Sequence, residues 1–240
     1  MTTRTEAHKA QIEMYGDTTT DTGFGEGLMQ DVLQSKRIQI ARENIPSGVE
    51  PVVDVGCGQG IITQSIAFSN RVIGIELVHS RVAYTKGRFP TPMYVCADGA
   101  FLPLPSLSTK AVCAFEVLEH MIPSDTIAAL HEFYRVLKVG GVLILSTPNL
   151  EGFGNRLRRN LKPTMSRRDH FNEMSYRYLL KIVKDAGFKV NHLEGIGLIP
   201  GLWYVQKIFN FRQLYEFNNA IARFLPQIST EVSVVATKIK

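Results

Sequence analysis

An apolar run that ends in an acidic residue and a glycine-rich turn, VVDVGCGQG at residues 52–60, constrains the fold of this chain most strongly. The run has the length of a buried strand, and a helical pattern, GIITQSIAF, follows it directly. In an open parallel sheet such a turn stands at the carboxyl end of a strand, where ligands bind and glycine lets the backbone approach them closely. The sequence therefore predicts a cofactor site in this turn. Its candidate residues are Asp54, Gly56, Cys57, Gly58 and Gly60.

Strands and helices alternate regularly from here to about residue 148. The predicted strands are PVVDVG, RVIGIEL, MYVCAD, KAVCAFE and GVLILST, followed near the C-terminus by FKVNHLEG and EVSVVATKIK. The predicted helices cover residues 28–44, GIITQSIAF, HSRVAYTKGR, residues 124–137 with Ser124 as N-cap and Gly140 and Gly141 as the stop, and a segment capped by Ser175. Nearly all-apolar strands that alternate with helices indicate a doubly wound α/β fold, with a parallel sheet covered on both faces.

The domain organisation follows from the same pattern and from composition. Hydrophobic residues make up 45% of the chain and charged residues 20%, which is typical of a globular domain. We expect one domain over residues 28–240, preceded by a mobile tail or lid at 1–27. Within it we expect a basic connector at 149–173 and an aromatic-rich helical insertion at 196–229 that caps the acceptor.

Net charge and cysteine content limit the partners and the cellular compartment that we expect for the protein. The formal net charge is +5 and the pI about 9.1, which favours an anionic partner without identifying one. The three cysteines have neither disulfide nor zinc spacing. The N-terminal residues lack the apolar core of a signal peptide, and no apolar run is long enough to span a membrane. We therefore expect a cytoplasmic protein.

Acidic residues end the first three predicted strands. The glycine-rich dinucleotide-binding motif is incomplete, because Ile61 stands at the position of its third glycine. No phosphate-binding Lys-Ser/Thr pair follows either, so we do not expect this turn to bind a phosphate group. Glu76 ends the second strand, where an acidic side chain can accept hydrogen bonds from ribose hydroxyls. Asp98 ends the third strand.

This combination resembles the class I S-adenosylmethionine-dependent methyltransferases. The resemblance covers about residues 52–195 and includes FLPLP and RVLKVGGVLILSTPN. It implies a Rossmann-like, seven-stranded fold with a helical insertion before the last strand, and S-adenosylmethionine as cofactor. It also implies that Asp98 meets the adenine amino group and that Phe115 and Glu116 lie near the adenosine and methionine portions. The further cofactor residues are Glu76, Leu77, Gly99 and Ala100.

The motif FEVLEHM at residues 115–121 follows the fourth strand and borders the same crevice. If the chain turns helically there, Glu116, Glu119 and His120 converge on one face. Two carboxylates and an imidazole suit Mg²⁺, Mn²⁺ or Fe²⁺, and His170, with Asp169 as its rival, is the candidate for a further ligand. Three alternatives remain open: metal ligation, a metal-free base at His120 or His170, and a structural role.

EVLEHM, STPN and a DHF ahead of a helix are similar to two groups of O-methyltransferases. These are the type 11 ubiquinone-biosynthesis enzymes and the small-RNA terminal 2'-O-methyltransferases. The resemblance implies that Glu116, Glu119, His120 and His170 hold a divalent cation beside the acceptor hydroxyl. A bound cation lowers the pKa of such a hydroxyl.

Two segments bear on the acceptor. The basic connector carries Arg156, Arg158, Arg159, Lys162, Arg167 and Arg168. It could hold RNA phosphates or a lipid head group, or it could be a solvated loop. The insertion carries Trp203, Tyr204, Phe209 and Phe217, which fit core packing, an acceptor cap, a homodimer face or a membrane surface. Together they favour O-methylation of a small-molecule or lipid-linked acceptor. The alternative is an RNA 2'-O-methyltransferase or an RNA-binding cofactor module.

Overall fold

A computed structural model of the chain describes residues 2–16, 28–49, 51–161, 170–198 and 212–240. The strands are β1 Val52–Val55, β2 Val72–Glu76, β3 Met93–Cys96, β4 Thr109–Phe115, β5 Leu137–Pro148, β6 Phe188–Ile196 and β7 Glu231–Lys238. The helices are α1 Arg4–Tyr15, α2 Leu28–Asn44, α3 Ile61–Ala67, α4 His79–Arg88, α5 Pro123–Val136, α6 Phe153–Leu161, α7 Tyr176–Asp185 and α8 Arg212–Ala222. A 3-10 turn covers Leu118–His120.

The strands form one sheet of seven in the order β3-β2-β1-β4-β5-β7-β6, which confirms the predicted seven-stranded Rossmann-like, doubly wound α/β fold. The prediction of an entirely parallel sheet is wrong for β7, which runs antiparallel to both of its neighbours. The reason lies in the insertion between β6 and β7. Ile196 at the end of β6 pairs with Glu231 at the start of β7, and Thr230 donates a backbone hydrogen bond to Gly197. The chain therefore re-enters the sheet at the edge where it left, and β7 must run back.

The sheet has a hydrophobic cluster on each face. Along β4, Val112 and Ala114 belong to the cluster that includes residues of α5 and α7, whereas Cys113 and Phe115 belong to the cluster with α2 and α3 residues. Successive side chains of a strand point to opposite faces, so one apolar run supplies both layers. This burial fixes the carboxyl ends of β1 to β4 along one edge, where the predicted site lies.

Two predicted helix boundaries need correction. Helix α5 begins with Pro123 after Ile122 as N-cap, so Ser124 is not the cap; proline suits the first helical position because it lacks the N–H that would be unpaired there. Gly140 and Gly141 do not stop this helix, because the chain enters β5 directly at Leu137 and the glycines lie within that strand. Ser175 caps α7 as predicted and accepts a hydrogen bond from the N–H of Tyr178.

Helix α1 was not predicted, because its polar sequence has no apolar stripe. The signal that could have found it is a capping box, in which Thr3 accepts from the Glu6 N–H while the Glu6 side chain accepts from the Thr3 N–H. Residues 17–27 of the predicted tail or lid lie outside the described residues. The described parts of the connector and of the insertion carry α6 and α8 respectively.

Candidate active site

The turn after β1 depends on glycine at two close approaches. Gly60 has a φ of 76°, and a Cβ atom there would lie 2.4 Å from the Thr85 methyl carbon. Gly56 has a φ of 67°, and its Cβ would lie 2.5 Å from a methyl carbon of Val117. Side chains are excluded at both positions, so the backbone itself forms this wall of the crevice.

Asp54, the third of the four residues of β1, is buried and accepts a hydrogen bond from the Thr63 hydroxyl at 2.6 Å. Burial raises the pKa of Asp54 to about 7; the Thr63 bond opposes this shift, while the charge of Glu76 adds to it. Ionised Asp54 is therefore costly unless positive charge lies near it. A cationic ligand next to this turn would provide that charge.

The Glu76 carboxylate forms hydrogen bonds to the turn after β1 and to the turn after β2. It accepts hydrogen bonds from the backbone N–H groups of Gly58 and Val78, both at 3.0 Å. An ionised carboxylate has about four lone-pair positions, so two acceptor positions remain for a ligand such as a ribose diol.

Asp98 lies beyond β3 and also bonds locally, because one carboxylate oxygen accepts from the Ala100 N–H at 2.8 Å. The other oxygen accepts from Arg4, and His8 Nε2 lies 3.1 Å from the same atom. Two side chains of α1 therefore contact the carboxylate that the family resemblance assigns to adenine.

The remaining predicted cofactor residues line the same edge. Gly99 packs on Val55, since a Cβ at Gly99 would lie 2.8 Å from a Val55 methyl carbon. The Leu77 carbonyl accepts from the Cys96 thiol at 3.4 Å. Three further side chains are buried: Cys57, Ala100 and Phe115. Burial raises the pKa of the Cys57 thiol, which argues against a reactive cysteine there.

On the other half of the edge, Glu119, His120 and His170 come together. One ligand atom from each lies within 4.8 Å of the others. The two imidazole rings meet edge to face, 4.9 Å between centroids. The Glu119 carbonyl accepts backbone hydrogen bonds from Phe171 and Asn172 at 2.9 and 3.0 Å, which hold the His170 segment against the turn after β4.

Glu116 does not join this cluster, so the predicted convergence of all three FEVLEHM side chains is wrong. Glu116 adopts the left-handed conformation, with φ at 55°, and the following 3-10 turn is too short and too tight to give an α-helical face. Its carboxylate accepts from the Ser146 hydroxyl at 2.6 Å instead.

A buried ion network that the sequence analysis missed surrounds Glu116. Arg37 of α2 donates to Glu231 at 2.9 Å, and the same nitrogen lies 3.4 Å from Glu116. Burial lowers the pKa of Arg37, but the carboxylates of Glu231 and Glu116 outweigh this and raise it above its usual value. The available signal was helical spacing, since Arg37 falls on the apolar face with Leu33 and Ile40.

Glu119 is the most buried carboxylate of the site and is 1% exposed. Burial raises its pKa to about 8, although Thr147, which donates a hydrogen bond at 3.2 Å, and the charge of Arg37 oppose this. Burial likewise raises the pKa of Glu116. This half of the edge therefore holds carboxylates that a proton or a cation must neutralise.

Asp169, the rival metal ligand, lies outside the described residues, as do the acceptor-binding candidates Lys162, Arg167, Arg168, Trp203, Tyr204 and Phe209. The side chains of Arg158 and Arg159 are not described either. Arg156 on α6 is exposed, as is Phe217 on α8 at 62%. No helix among the described segments has both the length and the apolarity that a membrane crossing requires.

Comparison with known proteins identifies a methyltransferase domain within the chain. The methyltransferase domain model matches residues 53–145, the stretch that carries all three strand-end carboxylates and FEVLEHM. This stretch carries a methyltransferase domain, and the mycobacterial relatives that it matches are named as probable S-adenosylmethionine-dependent methyltransferases. Over 146 residues the chain is 34% identical to a Mycolicibacterium smegmatis protein named "Probable S-adenosylmethionine-dependent methyltransferase", covering 60% of this chain and 54% of that protein. Over 97 residues it is 36% identical to the malonyl-[acyl-carrier protein] O-methyltransferase of Yersinia pestis, covering 40% and 36%.

A solved structure shows the same fold over most of the chain. The Thermotoga maritima SAM-dependent methyltransferase superposes with a TM-score of 0.64, covering 88% of this chain and 91% of that one, at 19% identity. The chain spans about half the length of the curated mycobacterial relatives that it matches.

Proposed function

We propose that this protein transfers the methyl group of S-adenosylmethionine to a hydroxyl of a small or lipid-like acceptor, with a divalent cation at Glu119, His120 and His170. The observation that carries the oxygen preference is the clustering of these three side chains at the ends of the strands beside the cofactor turns. Such a cluster suits removal of a hydroxyl proton. The Yersinia pestis relative, named as an O-methyltransferase, supports the same preference.

The cofactor half of the proposal assigns one role to each strand-end carboxylate. The Gly56 to Gly60 backbone faces the methionine portion, Glu76 accepts from the ribose hydroxyls and Asp98 accepts from the adenine amino group. Asp54 lies under the turn, where its negative charge favours the sulfonium cation.

The acceptor half supplies the group that promotes loss of the hydroxyl proton near the methyl donor. The hydroxyl oxygen forms a bond to the methyl carbon as the carbon–sulfur bond breaks, and the sulfur leaves as neutral S-adenosylhomocysteine. The hydroxyl proton would leave to solvent, because the histidine nitrogens that would hold the cation have no free lone pair to accept it. Holding donor and acceptor in line supplies much of the rate enhancement.

The donor set fits a small divalent ion. Metal–ligand distances of about 2.0–2.2 Å place ligand atoms at most about 4.4 Å apart, so atoms within 4.8 Å need to approach by only a few tenths of an ångström. Glu173 lies 3.4 Å from Nδ1 of His170, the usual place of a carboxylate that orients a ligating histidine through its other nitrogen. When bound, the ion lowers the pKa of the acceptor hydroxyl.

Calorimetric titration with Mn²⁺ tests the metal half directly. We expect one site in the wild-type protein, and at least about tenfold weaker binding in Glu119→Gln and in His170→Ala. His131→Ala is the matched control, since His131 is exposed on α5 and should leave binding unchanged. Binding that survives both cluster variants contradicts metal ligation and leaves His120 and His170 as metal-free bases.

Methyl transfer is tested with methyl-labelled S-adenosylmethionine and a catechol as a model diol. Labelled ether that appears with wild-type protein and is lost in His120→Ala supports oxygen as the nucleophile. The RNA alternative predicts instead that single-stranded RNA is labelled and that its binding weakens steeply with salt. Transfer to RNA but not to catechol would replace the small-molecule assignment.

A further inference from the structure

Helix α1 lies across both halves of the site. Four of its side chains, Arg4, His8, Gln11 and Tyr15, follow the four-three-four spacing of a single helical face. The first two contact Asp98 on the cofactor half, and the last two contact His120 on the acceptor half. One rigid element therefore joins two sites that the fold otherwise builds from separate strands.

The contacts on the cofactor half saturate one side of Asp98. Arg4 and His8 both contact its Oδ2 atom, and the Ala100 N–H donates a hydrogen bond to Oδ1. Arg4 is held in this position by Asp125 at 3.4 Å and by the Phe101 ring, whose centroid lies 4.1 Å from the guanidinium carbon. An adenine amino group that binds Asp98 must share this carboxylate with the Arg4 and His8 side chains or displace them.

The contacts on the acceptor half cover His120. Gln11 donates to its backbone carbonyl, and the Tyr15 ring meets the imidazole edge to face at 6.0 Å between centroids. Beyond the helix, Ser80 donates to the Gly16 carbonyl at 2.9 Å, and the Arg81 guanidinium lies 4.9 Å from the Tyr15 ring centroid. The C-terminal end of α1 therefore lies against the start of α4.

We propose that α1 is a latch: Arg4 and His8 compete with the adenine of the cofactor for Asp98, and release of the helix uncovers His120 for the acceptor. The latch rests on the proposed function, because it takes Asp98 as the adenine ligand. It makes binding ordered, with the cofactor first and the acceptor second. The linkage is physical, because Arg4 and Tyr15 belong to one helix and move together.

Calorimetric titration with S-adenosylhomocysteine tests the competition. This ligand lacks the sulfonium charge, so loss of a cation from the protein does not by itself favour its binding. We expect the Arg4→Ala/His8→Ala double variant to bind about three- to tenfold more tightly than wild type, because the fraction of protein with a free Asp98 rises. Lys9→Ala is the matched control, since this exposed cation of α1 pairs with Glu13 and should leave affinity unchanged.

Trypsin cleavage after Lys9 gives the second readout. Saturating S-adenosylhomocysteine should speed this cleavage in the wild-type protein, because a released helix unfolds more readily than a docked one. Equal or weaker binding by the double variant, or protection of Lys9 by the ligand, overturns the latch while leaving the methyltransferase assignment intact. Absence of binding in every variant overturns the assignment and the latch together.

Discussion

The two halves of the sheet edge hold their carboxylates in different ways. At the ends of β1 to β3, the contacts are largely local: Asp98 accepts from Ala100 and Glu76 from Val78, each two residues along the chain. Near the carboxyl ends of β4 and β5 and at the start of β7, the contacts join residues that are far apart in the sequence. Glu116 accepts a hydrogen bond from Ser146, and Glu231 pairs with Arg37, which is 194 residues away. The first half is built by turns and the second by packing of distant elements, so the two should respond differently to substitution.

The largest expected effect is at Arg37, the cation of the distant network. Arg37→Ala leaves Glu116 and Glu231 buried without their counter-charge, and we expect the free energy of unfolding to fall by about 3–5 kcal/mol. The pKa of Glu116, already raised by burial, rises further without Arg37. A carboxyl group whose pKa is raised in the folded protein makes the protein less stable as pH rises. Urea denaturation should therefore show a larger loss in the free energy of unfolding for Arg37→Ala at about pH 8 than at about pH 5.5.

Arg42→Ala on the same helix is the control for Arg37. Its guanidinium donates to the Ser65 carbonyl at 3.2 Å, and its side chain is exposed, so we expect a loss below about 1 kcal/mol. Equal losses in the two variants would contradict the view that packing of buried charge holds this half together.

The second effect, at Gly60, tests the local half. Gly60→Ala forces a side chain into the left-handed conformation and against Thr85, and we expect a loss of about 2–4 kcal/mol by the same measurement. Gly87→Ala on α4 is the control, because a Cβ there meets nothing within 4 Å, and it should stabilise the helix by about 0.5–1 kcal/mol. A neutral Gly60→Ala would mean that the turn is not constrained by close approach.

The local half could be predicted because its carboxylates lie close to the ends of predictable strands. Asp54, Glu76 and Asp98 each lie within two residues of the end of a strand whose apolar pattern is visible, so parallel packing places them together. The convergence of Glu116 with Glu119 failed because the backbone turns to a positive φ after β4, which no apolar periodicity records.

The distant half carried weaker signals. The residues alone could name His170 only as one candidate beside Asp169, since backbone bonds from Phe171 and Asn172 to Glu119 bring it into place. Glu231 starts a strand that reverses direction after the insertion, and its pairing with Arg37 depends on that reversal. The antiparallel β7 and this ion pair therefore escaped prediction together.

Asp54, a buried carboxyl of the local half, should make the stability of the protein depend on pH. Its pKa is raised to about 7, so its contribution to stability is complete below about pH 4 and is lost as pH rises to about 7. Asp54→Asn keeps an acceptor for Thr63 and removes the charge, so its advantage over wild type in urea denaturation should grow between those pH values and then stay constant. Asp185→Asn, an exposed control, should show no such growth. An advantage that shrinks with rising pH would contradict the burial of an ionisable Asp54.

The smallest effect is expected at a helix cap on the distant half. Ser175→Ala removes the hydrogen bond to the Tyr178 N–H and should lower the free energy of unfolding by about 1 kcal/mol. Thr3→Ala removes the equivalent cap of α1, but we expect it to loosen that helix without lowering global stability, because α1 buries only Ala7 among its residues. Equal global losses would show that α1 is part of the folding core.

The central claim is that the three strand-end carboxylates form a cofactor site. Its most direct test is calorimetric titration of S-adenosylhomocysteine into the wild-type protein, Glu76→Gln and Asp98→Asn, with Asp185→Asn as control. The account predicts one site per chain in the wild type and the control, with affinity lower by about tenfold or more in the other two variants. No binding to the wild-type protein, or undiminished binding to both site variants, would contradict it.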